Sequence, residues 1–567
     1  MGTGINVTPE PVRANRRLLF ALAPLFGLTL VAGLLSDGVY HDDDLTHFLV
    51  ARWSRWFPSY LLHIWGRPGL TVPLASVAGA EDVETAWRAA RVLSAMVTAA
   101  AALLTGRLAL RLGLARPQLA VLFAYAQPLV AVLALTTLTE NFAALYLVSA
   151  VFLLQSRRPV SASLVFSLIF VTRHEAVILW PVWLAGLYAA RTRPRRWLLP
   201  ALCSVWAPLV HNALFFAVFR RWPVAIFTRP HGSTEYPAGG PLAYIPDALY
   251  ALTPALLSLA IVGGAWFIRR RMPLIPALAG VFLLAHIVVK AIGVFASGGY
   301  GRFLVTVFPL VAILALAGWN EIDRRVREGL SCRVIWLVFA GVCALGWLAL
   351  EEQNHAGRFH FSERTLWLLR GGAAALIALA VGLIAAARAQ AARAGLLILA
   401  LTCAGQWCAI FRPLGERDDQ RTVRDACQWL MQSPYAAGPV FGTNPWFALY
   451  LDLIEHPRAH KGAALLASLP VGTIFFWDSK YSANDFHRLP RDSFAGDAAH
   501  YETVRIIRSH GREPLELWVF RKIAETPQPD AAEPPYPPDL AAEESPVRGI
   551  YYLRGKRAEA ARPPIMR

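Results

Sequence analysis

The sequence predicts a bundle of membrane-spanning helices with a small α/β domain near its C-terminal end. Three observations carry this. Of 567 residues, 56% are hydrophobic and only 16% charged, with mean hydropathy +0.42; a soluble chain of this size carries about 25% charge. The apolar residues fall into long runs punctuated by arginines. After residue 411 that character gives way to polar sequence with short β-type runs.

About 13 membrane segments follow from the hydropathy: 18–36, 92–112, 118–135, 141–155, 160–172, 177–190, 197–219, 248–268, 274–296, 303–319, 334–350, 366–387 and 395–411. A spanning helix takes roughly 20 residues. The first run follows Arg13, Arg16 and Arg17 and lacks a good cleavage site at Ser36-Asp37-Gly38, so it reads as a retained anchor. Segments 141–155, 160–172 and 177–190 are too short to span alone and are expected as broken or re-entrant helices, tolerated where protein or water covers the backbone.

The arginines set the expected orientation. With the N-terminus in the cytoplasm, the inner connections carry Arg107/Arg111/Arg116, Arg157/Arg158, Arg191/Arg193/Arg195/Arg196, Arg269/Arg270/Arg271, Arg324/Arg325/Arg327 and Arg388/Arg393. Topology thus accounts for most of the net charge of +17 without nucleic acid as a partner. The loop 37–91 is then extracytoplasmic, and its stretch 45–56, interrupted by Arg52 and Arg55, reads as an interfacial amphipathic helix. The six cysteines show no CxxC or Cys/His spacing, which indicates neither a disulfide framework nor a zinc site.

Beyond the helices, 412–523 is expected as an extracytoplasmic domain, with a helix over 423–431 and strands over 439–443, 473–477, 503–507 and 515–520. The Pro-, Ala- and acid-rich 524–548 reads as disordered, and the tail 524–567 with it. No P-loop and no GxGxxG before a helix is present, so nothing indicates ATP-driven transport.

Ionisable residues inside membrane segments are costly and mark functional sites. Here they are Glu140, Arg173, His174, Glu175, His211, His286, Lys290 and Arg302. On the inferred topology nearly all fall toward the outer leaflet, on the side of the triplet Asp42-Asp43-Asp44. Simpler roles exist for each. Arg302 and Lys290 can snorkel to headgroups. Glu140 can favour a helix N-terminus. Arg173 can pair with Glu175, His211 and His286 can be packing residues, and the aspartates can line a solvated loop. As a site, carboxylates supply a general base and cations hold a phosphate. A lipid-linked sugar phosphate has the matching parts.

The motifs, in order, resemble the GT-C superfamily of polytopic glycosyltransferases, which includes protein O-mannosyltransferases, the lipid A aminoarabinose transferase and the mannosyltransferases of GPI-anchor assembly. His41-Asp42-Asp43-Asp44 is similar to the acidic pair of the family's first loop, with Asp43 at the leading catalytic carboxylate, Asp44 its neighbour and Asp42 a lesser candidate. Gly66-Arg67-Pro68 is similar to the basic-Pro element of that loop, and Leu138-Thr139-Glu140-Asn141 to the acid opening the fourth segment. Thr172-Arg173-His174-Glu175-Ala176 resembles a Thr-Arg-Pro-Glu-Gly element, and Gly301-Arg302-Phe303-Leu304 with Phe308-Pro309-Leu310 an Arg-Tyr-Leu segment. The resemblance covers about residues 1–320.

It implies a bacterial inner-membrane enzyme moving a sugar, mannose-like in some members, from a polyprenyl-phosphate donor to an extracytoplasmic protein, lipid or glycan acceptor, with inversion. Asp43 and Asp44 are the implied catalytic pair. His41, Arg67, Glu140, Arg173, Glu175, Lys290 and Arg302 are the implied substrate-binding residues. No cofactor or metal is implied, although three aspartates are ligands that suit Mg²⁺ or Mn²⁺. The rival readings are a lipid or polysaccharide flippase, which would need polar residues through the whole membrane depth, and a non-catalytic envelope scaffold acting through its outer domain.

Overall fold

A computed structural model describes residues 10–190, 197–220, 222–223, 244–292, 300–328, 370, 407, 410–455, 466–467, 469–482, 489–509, 515–526 and 551–552. The expected segment 334–350 and nearly all of 366–387 and 395–411 lie outside these, as do Arg191–Arg196, Arg388, Arg393 and most of the tail. The chain divides into two compact units. One comprises Met1–Leu34, Val92–Ala213 and Val224–Arg412; the other comprises Leu35–Arg91, Leu214–Pro223 and Pro413–Arg567.

The first unit is helical. Its described helices are α1 (Glu10–Leu34), the greater part of α4 (Val83–Arg111), α5 (Gln118–Tyr125), α6 (Pro128–Leu133), α7 (Glu140–Gln155), α8 (Pro159–Ser167), α9 (Trp180–Ala189), α10 (Leu198–Cys203), the start of α11 (Trp206–Phe219), α12 (Ile245–Leu252), α13 (Pro254–Arg269), α14 (Leu274–Ile292) and α15 (Phe308–Arg327). Helices α2 and α3 belong to the second unit. Four described helices are long and apolar enough to cross a membrane: Ala14–Leu34, Val83–Arg111, Leu274–Ile292 and Gly301–Arg325.

Several segments are broken, each for a local reason. Pro128 lacks the N–H that would continue α5 into α6, and the Gln127 amide fills the gap by donating to the Phe123 and Phe308 carbonyls. Thr253, at φ 56°, separates α12 from α13 and caps the latter by accepting from the Leu256 N–H. The expected segment 177–190 begins as a 3₁₀ turn, His174–Leu179, before α9. Side chains glue these pieces together: Trp183 stacks on Phe166 and donates to Ser163, and Trp180 donates to Ser204.

Helices α13 and α15 meet through glycine. A Cβ on Gly263 would stand 1.8 Å from the Leu314 carbonyl oxygen, and one on Gly318 would stand 2.0 Å from that of Leu259. Each glycine would also crowd the backbone N of the other. Backbones this close are the small-residue packing typical of membrane helices, where dispersion rather than the hydrophobic effect drives association.

The second unit joins the first loop to the last third of the chain. It holds α2 (Asp42–Trp53), α3 (Pro68–Ala78), α16 (Asp418–Gln432), α17 (Pro445–Tyr450) and the short α18 (Asp492–Ala495). A six-stranded sheet runs in the order β2-β6-β1-β3-β5-β4: β1 (Val440–Gly442), β2 (Ile454–Glu455), β3 (Ile474–Asp478), β4 (Tyr501–Arg508), β5 (Glu516–Lys522) and β6 (Tyr551–Tyr552). β1 and β3 are parallel, and the other pairings are antiparallel. Every residue of β3 is buried, as its unbroken run Ile474-Phe475-Phe476-Trp477 requires. The four longer strands and α16 fall where the sequence predicts them. β6 does not: it lies within the tail expected to lack structure, and its backbone pairs with both β1 and β2.

The 45–56 stretch is a helix, but not a one-sided one. From Asp42 to Trp53 every residue of α2 except Asp43 is buried within its unit. Arg52, which reads in sequence as a polar break, is 1% exposed. Its guanidinium donates to both Asp452 carboxylate oxygens and to the carbonyls of Ala78, Ala80 and Glu81. The neighbouring Trp53 donates to the Leu453 carbonyl.

Gly263→Ala is expected to destabilise the helical unit by about 2 kcal/mol or more, because backbone rather than a flexible side chain meets the new methyl. Thermal unfolding in detergent measures it, with Gly280→Ala, whose Cβ meets nothing within 4 Å, as control.

Candidate functional site

Two polar clusters, one in each unit, contain most of the sequence-predicted residues. In the helical unit, Glu140 opens α7, Arg173 precedes the 3₁₀ turn after α8, and Arg302 lies in the 3₁₀ turn Gly301–Val307 that leads into α15. All three are buried. Arg173 Nη1 donates to Glu140 Oε1 at 2.7 Å and to Thr139 Oγ1 at 3.0 Å, and Arg173 Nε donates to Glu175 Oε1 at 2.6 Å. Arg302 Nε lies 3.4 Å from the same Glu140 oxygen. The Arg173 guanidinium also covers the Phe303 ring at 4.1 Å, and that of Arg302 covers Tyr300 at 4.9 Å. Among these four side chains, two guanidinium groups face two carboxylates.

His286 packs among Tyr244, Phe282 and Phe303, consistent with an aromatic packing role. Lys290 is half-buried one turn further along α14, and His211 is buried on α11.

The aspartate triplet forms the first turn of α2, where acids complement the helix dipole. Successive helical residues point about 100° apart, so the three carboxylates diverge. Asp44 is fully buried, in electrostatic range of Arg91, which itself donates to the Ser36 and Gly38 carbonyls. Asp43 keeps its side chain 21% exposed. His41, the residue before the helix, accepts from the Asp43 N–H through Nδ1, which also lies 3.2 Å from Asp43 Oδ2. The two contacts need different protonation: neutral Nδ1 accepts the amide, and protonated Nδ1 donates to the carboxylate.

Asp42 is bound by four donors from the C-terminal third. Arg417 Nη2 donates to its Oδ1 at 2.7 Å, Lys480 Nζ to its Oδ2 at 2.9 Å, the Tyr481 hydroxyl to Oδ2, and the Trp446 indole reaches Oδ1 at 3.4 Å. Asp419 accepts from the same Arg417 and Lys480, which closes an alternating square of two anions and two cations. Burial acts to raise the Asp42 pKa, but Arg417, Lys480 and the Tyr481 hydroxyl overcome it and hold the group at about 2. For Lys480 burial acts the other way, and Asp42 keeps its pKa above the ordinary value.

Lys480 and Tyr481 are presented by a tight turn after β3. Its organiser is Asp478, whose Oδ1 accepts from the Lys480 and Tyr481 N–H groups while Oδ2 accepts from Thr443. Arg417 stands immediately before α16, its N–H donating to Gln420. None of these partners carries a sequence motif; the Asp418-Asp419 pair is the one local signal.

Arg67 stands between Gly66 and α3 with φ 63°, a left-handed conformation that costs a non-glycine residue about 1–2 kcal/mol. A Cβ on Gly66 would lie 2.5 Å from the Val50 side chain, so the turn packs tightly on α2. Among the described residues, no three His, Cys, Asp or Glu side chains converge in a way that could hold a metal ion.

The sequence matches no known family profile and no curated protein. The structure is similar to the crystal structure of ArnT from Cupriavidus metallidurans bound to undecaprenyl phosphate. The TM-score is 0.54 at 14% identity, covering 88% of this chain and 97% of that one. The chain therefore has the GT-C-type fold that its motifs resemble.

Two measurements test the clusters. Asp42 has a lower pKa folded than unfolded, so its contribution is complete above its ordinary value of 3.8 and is lost as pH falls through about 2. At roughly 1.4 kcal/mol per unit, that is about 2 kcal/mol. Asp42→Asn should lower stability at pH 7 by about that amount and reduce its loss between pH 4 and 2, read by tryptophan fluorescence during acid titration. In the helical unit, Glu140→Leu leaves Arg173 and Arg302 without their shared carboxylate and should cost about 3–5 kcal/mol. Thermal unfolding at pH 7 checks it.

Proposed function

We propose that this chain is a membrane glycosyltransferase that moves a sugar from a polyprenyl phosphate to an extracytoplasmic acceptor, with Asp43 as general base. The observation that carries the reading is an ArnT-like fold whose aspartate triplet leaves Asp43 the accessible carboxylate. Asp42 is committed to four donors, and Asp44 is sealed from solvent.

In the proposed reaction the Asp43 carboxylate takes the proton of an acceptor hydroxyl. The acceptor oxygen bonds to the anomeric carbon from the face opposite the phosphate. The carbon–oxygen bond to the phosphate breaks, and its electron pair leaves with the polyprenyl phosphate. One displacement inverts the anomeric centre. Arg302, with Arg173 and Lys290, is assigned to the donor phosphate. Arg173 contacts Glu140 and Glu175, and Arg302 stands 3.4 Å from the same Glu140 oxygen, a contact that a donor phosphate would replace. Glu140 and Glu175 orient the arginines, and Arg67 and His41 support the loop that carries Asp43. On this reading the polyprenyl chain reaches the site from the lipid, the membrane is the bacterial inner membrane, and the C-terminal domain lies outside it.

The test is a panel of undecaprenyl-phosphate-linked hexoses, pentoses and aminopentoses incubated with the purified full chain in lipid nanodiscs. Wild type should consume at least one donor. Asp43→Asn should lower that rate about 10²–10⁴-fold, the range for loss of a general base, with folding unchanged. Full activity in Asp43→Asn would overturn the assignment of the base.

A further inference from the structure

The square of charges around Asp42 has a function for which simple stability does not call. Its members come from three places: the first loop, the start of α16 and the turn after β3. Burying four charges gains little stability over an apolar contact of the same volume. What such a network supplies is direction, because a charged donor on each of its two oxygens fixes the orientation of one carboxylate. Asp42 lies one peptide bond from Asp43, in the same first helical turn.

We propose that Arg417, Lys480 and Tyr481 are positioning residues for catalysis, acting through Asp42 to set the direction of the Asp43 carboxylate. The inference rests on the role given to Asp43 above. It assigns the C-terminal third, which carries no motif of its own, a part in the chemical step.

The coupling has two components. The first is geometric. Asp42 fixes the opening of α2, whose first turn also carries the His41 contact, the Asp44 N–H donating to the His41 carbonyl and Thr46 donating to the Asp43 carbonyl at 3.0 Å. With Asp42 released, the turn that carries Asp43 loses the charged restraint at its start. Misplacing a reacting group by about 1 Å costs up to ~10²-fold in rate. The second component is electrostatic. Arg417 and Lys480 balance the charge of Asp42 beside Asp43. Without one of them, the adjacent negative charge makes Asp43 harder to ionise.

The two components predict a particular kinetic signature. Donor contacts are unchanged, so KM for the donor should stay within about twofold, while kcat falls about 10- to 100-fold. The acid limb of the kcat–pH profile should move to higher pH, because the base is protonated more readily. A purely structural square would lower the amount of folded protein and leave the limb of the surviving fraction in place.

The experiment uses the full chain in nanodiscs with the donor panel already described. The variants are Arg417→Gln and Lys480→Met, their conservative counterparts Arg417→Lys and Lys480→Arg, and Tyr481→Phe, which removes one hydroxyl and keeps the charges. Asp43→Asn is the reference. Expected are the kcat loss and limb shift in the neutralising variants, a smaller loss in Tyr481→Phe, and recovery of most of kcat in Lys480→Arg. If Asp43→Asn is inactive while every square variant retains wild-type kcat and pH profile, the positioning role is wrong and the general base stands. If the square variants lose activity only in proportion to lost folded protein, the positioning role is also wrong. If wild type consumes no donor, or Asp43→Asn keeps full activity, the proposed reaction fails and takes this inference with it.

Discussion

One carboxylate holds the second unit together. Asp42 receives a guanidinium, an ammonium, a phenol and an indole, and every one of those donors comes from residues more than 370 positions further along the chain. A charge taken out of water is tolerated only when it is paired and hydrogen-bonded. Here the requirement is met by the first loop and the last third of the chain together, and by neither alone. The other links obey the same logic. The Asp37 and Gly38 N–H groups both donate to the Leu414 carbonyl, and Leu414 in turn donates to Ser36. A side chain on Gly38 would collide with the Gly415 backbone, at 2.1 Å from its carbonyl oxygen. Arg52 and Trp53 make the third link, to Asp452 and Leu453.

The helical unit solves a different problem. Its interior polar groups face an apolar surrounding, where an unpaired charge is costly, and several of them meet in pairs or on nearby backbone. Glu140 serves Arg173 and Arg302 together, and Gln127 closes a proline break. The arginines lie over aromatic faces, which lowers the cost of holding them away from water. The arrangement holds two cations inside the unit against carboxylates, and a bound anion would have to compete with Glu140 and Glu175.

Much of this was legible in the sequence, and the limits have physical causes. Hydropathy located the apolar helices among the described residues, though not their breaks, because each apolar run is local. The strands β1, β3, β4 and β5 were legible for the same reason, as short β-type runs between turn residues. The buried ions Glu140, Arg173 and Arg302 stood out because charge inside apolar sequence is rare, and the structure brings those three together with Glu175. What was not legible is non-local. Nothing near Arg417, Lys480 or Tyr481 announces a partner near residue 42. Arg52 resembled an interfacial charge because its carbonyl partners are invisible in sequence. The β6 pair was hidden in a tail whose composition argues against order, since two residues of backbone pairing leave little compositional trace.

The long span of these contacts has a consequence for biosynthesis. Arg417 follows Asp42 by 375 residues. At roughly 5–20 residues per second, a ribosome needs about 20–75 s to make that stretch. Throughout that interval α2 exists without the donors that make its buried first turn tenable. The earliest loop made therefore waits for the last domain to arrive before its buried carboxylate is paired.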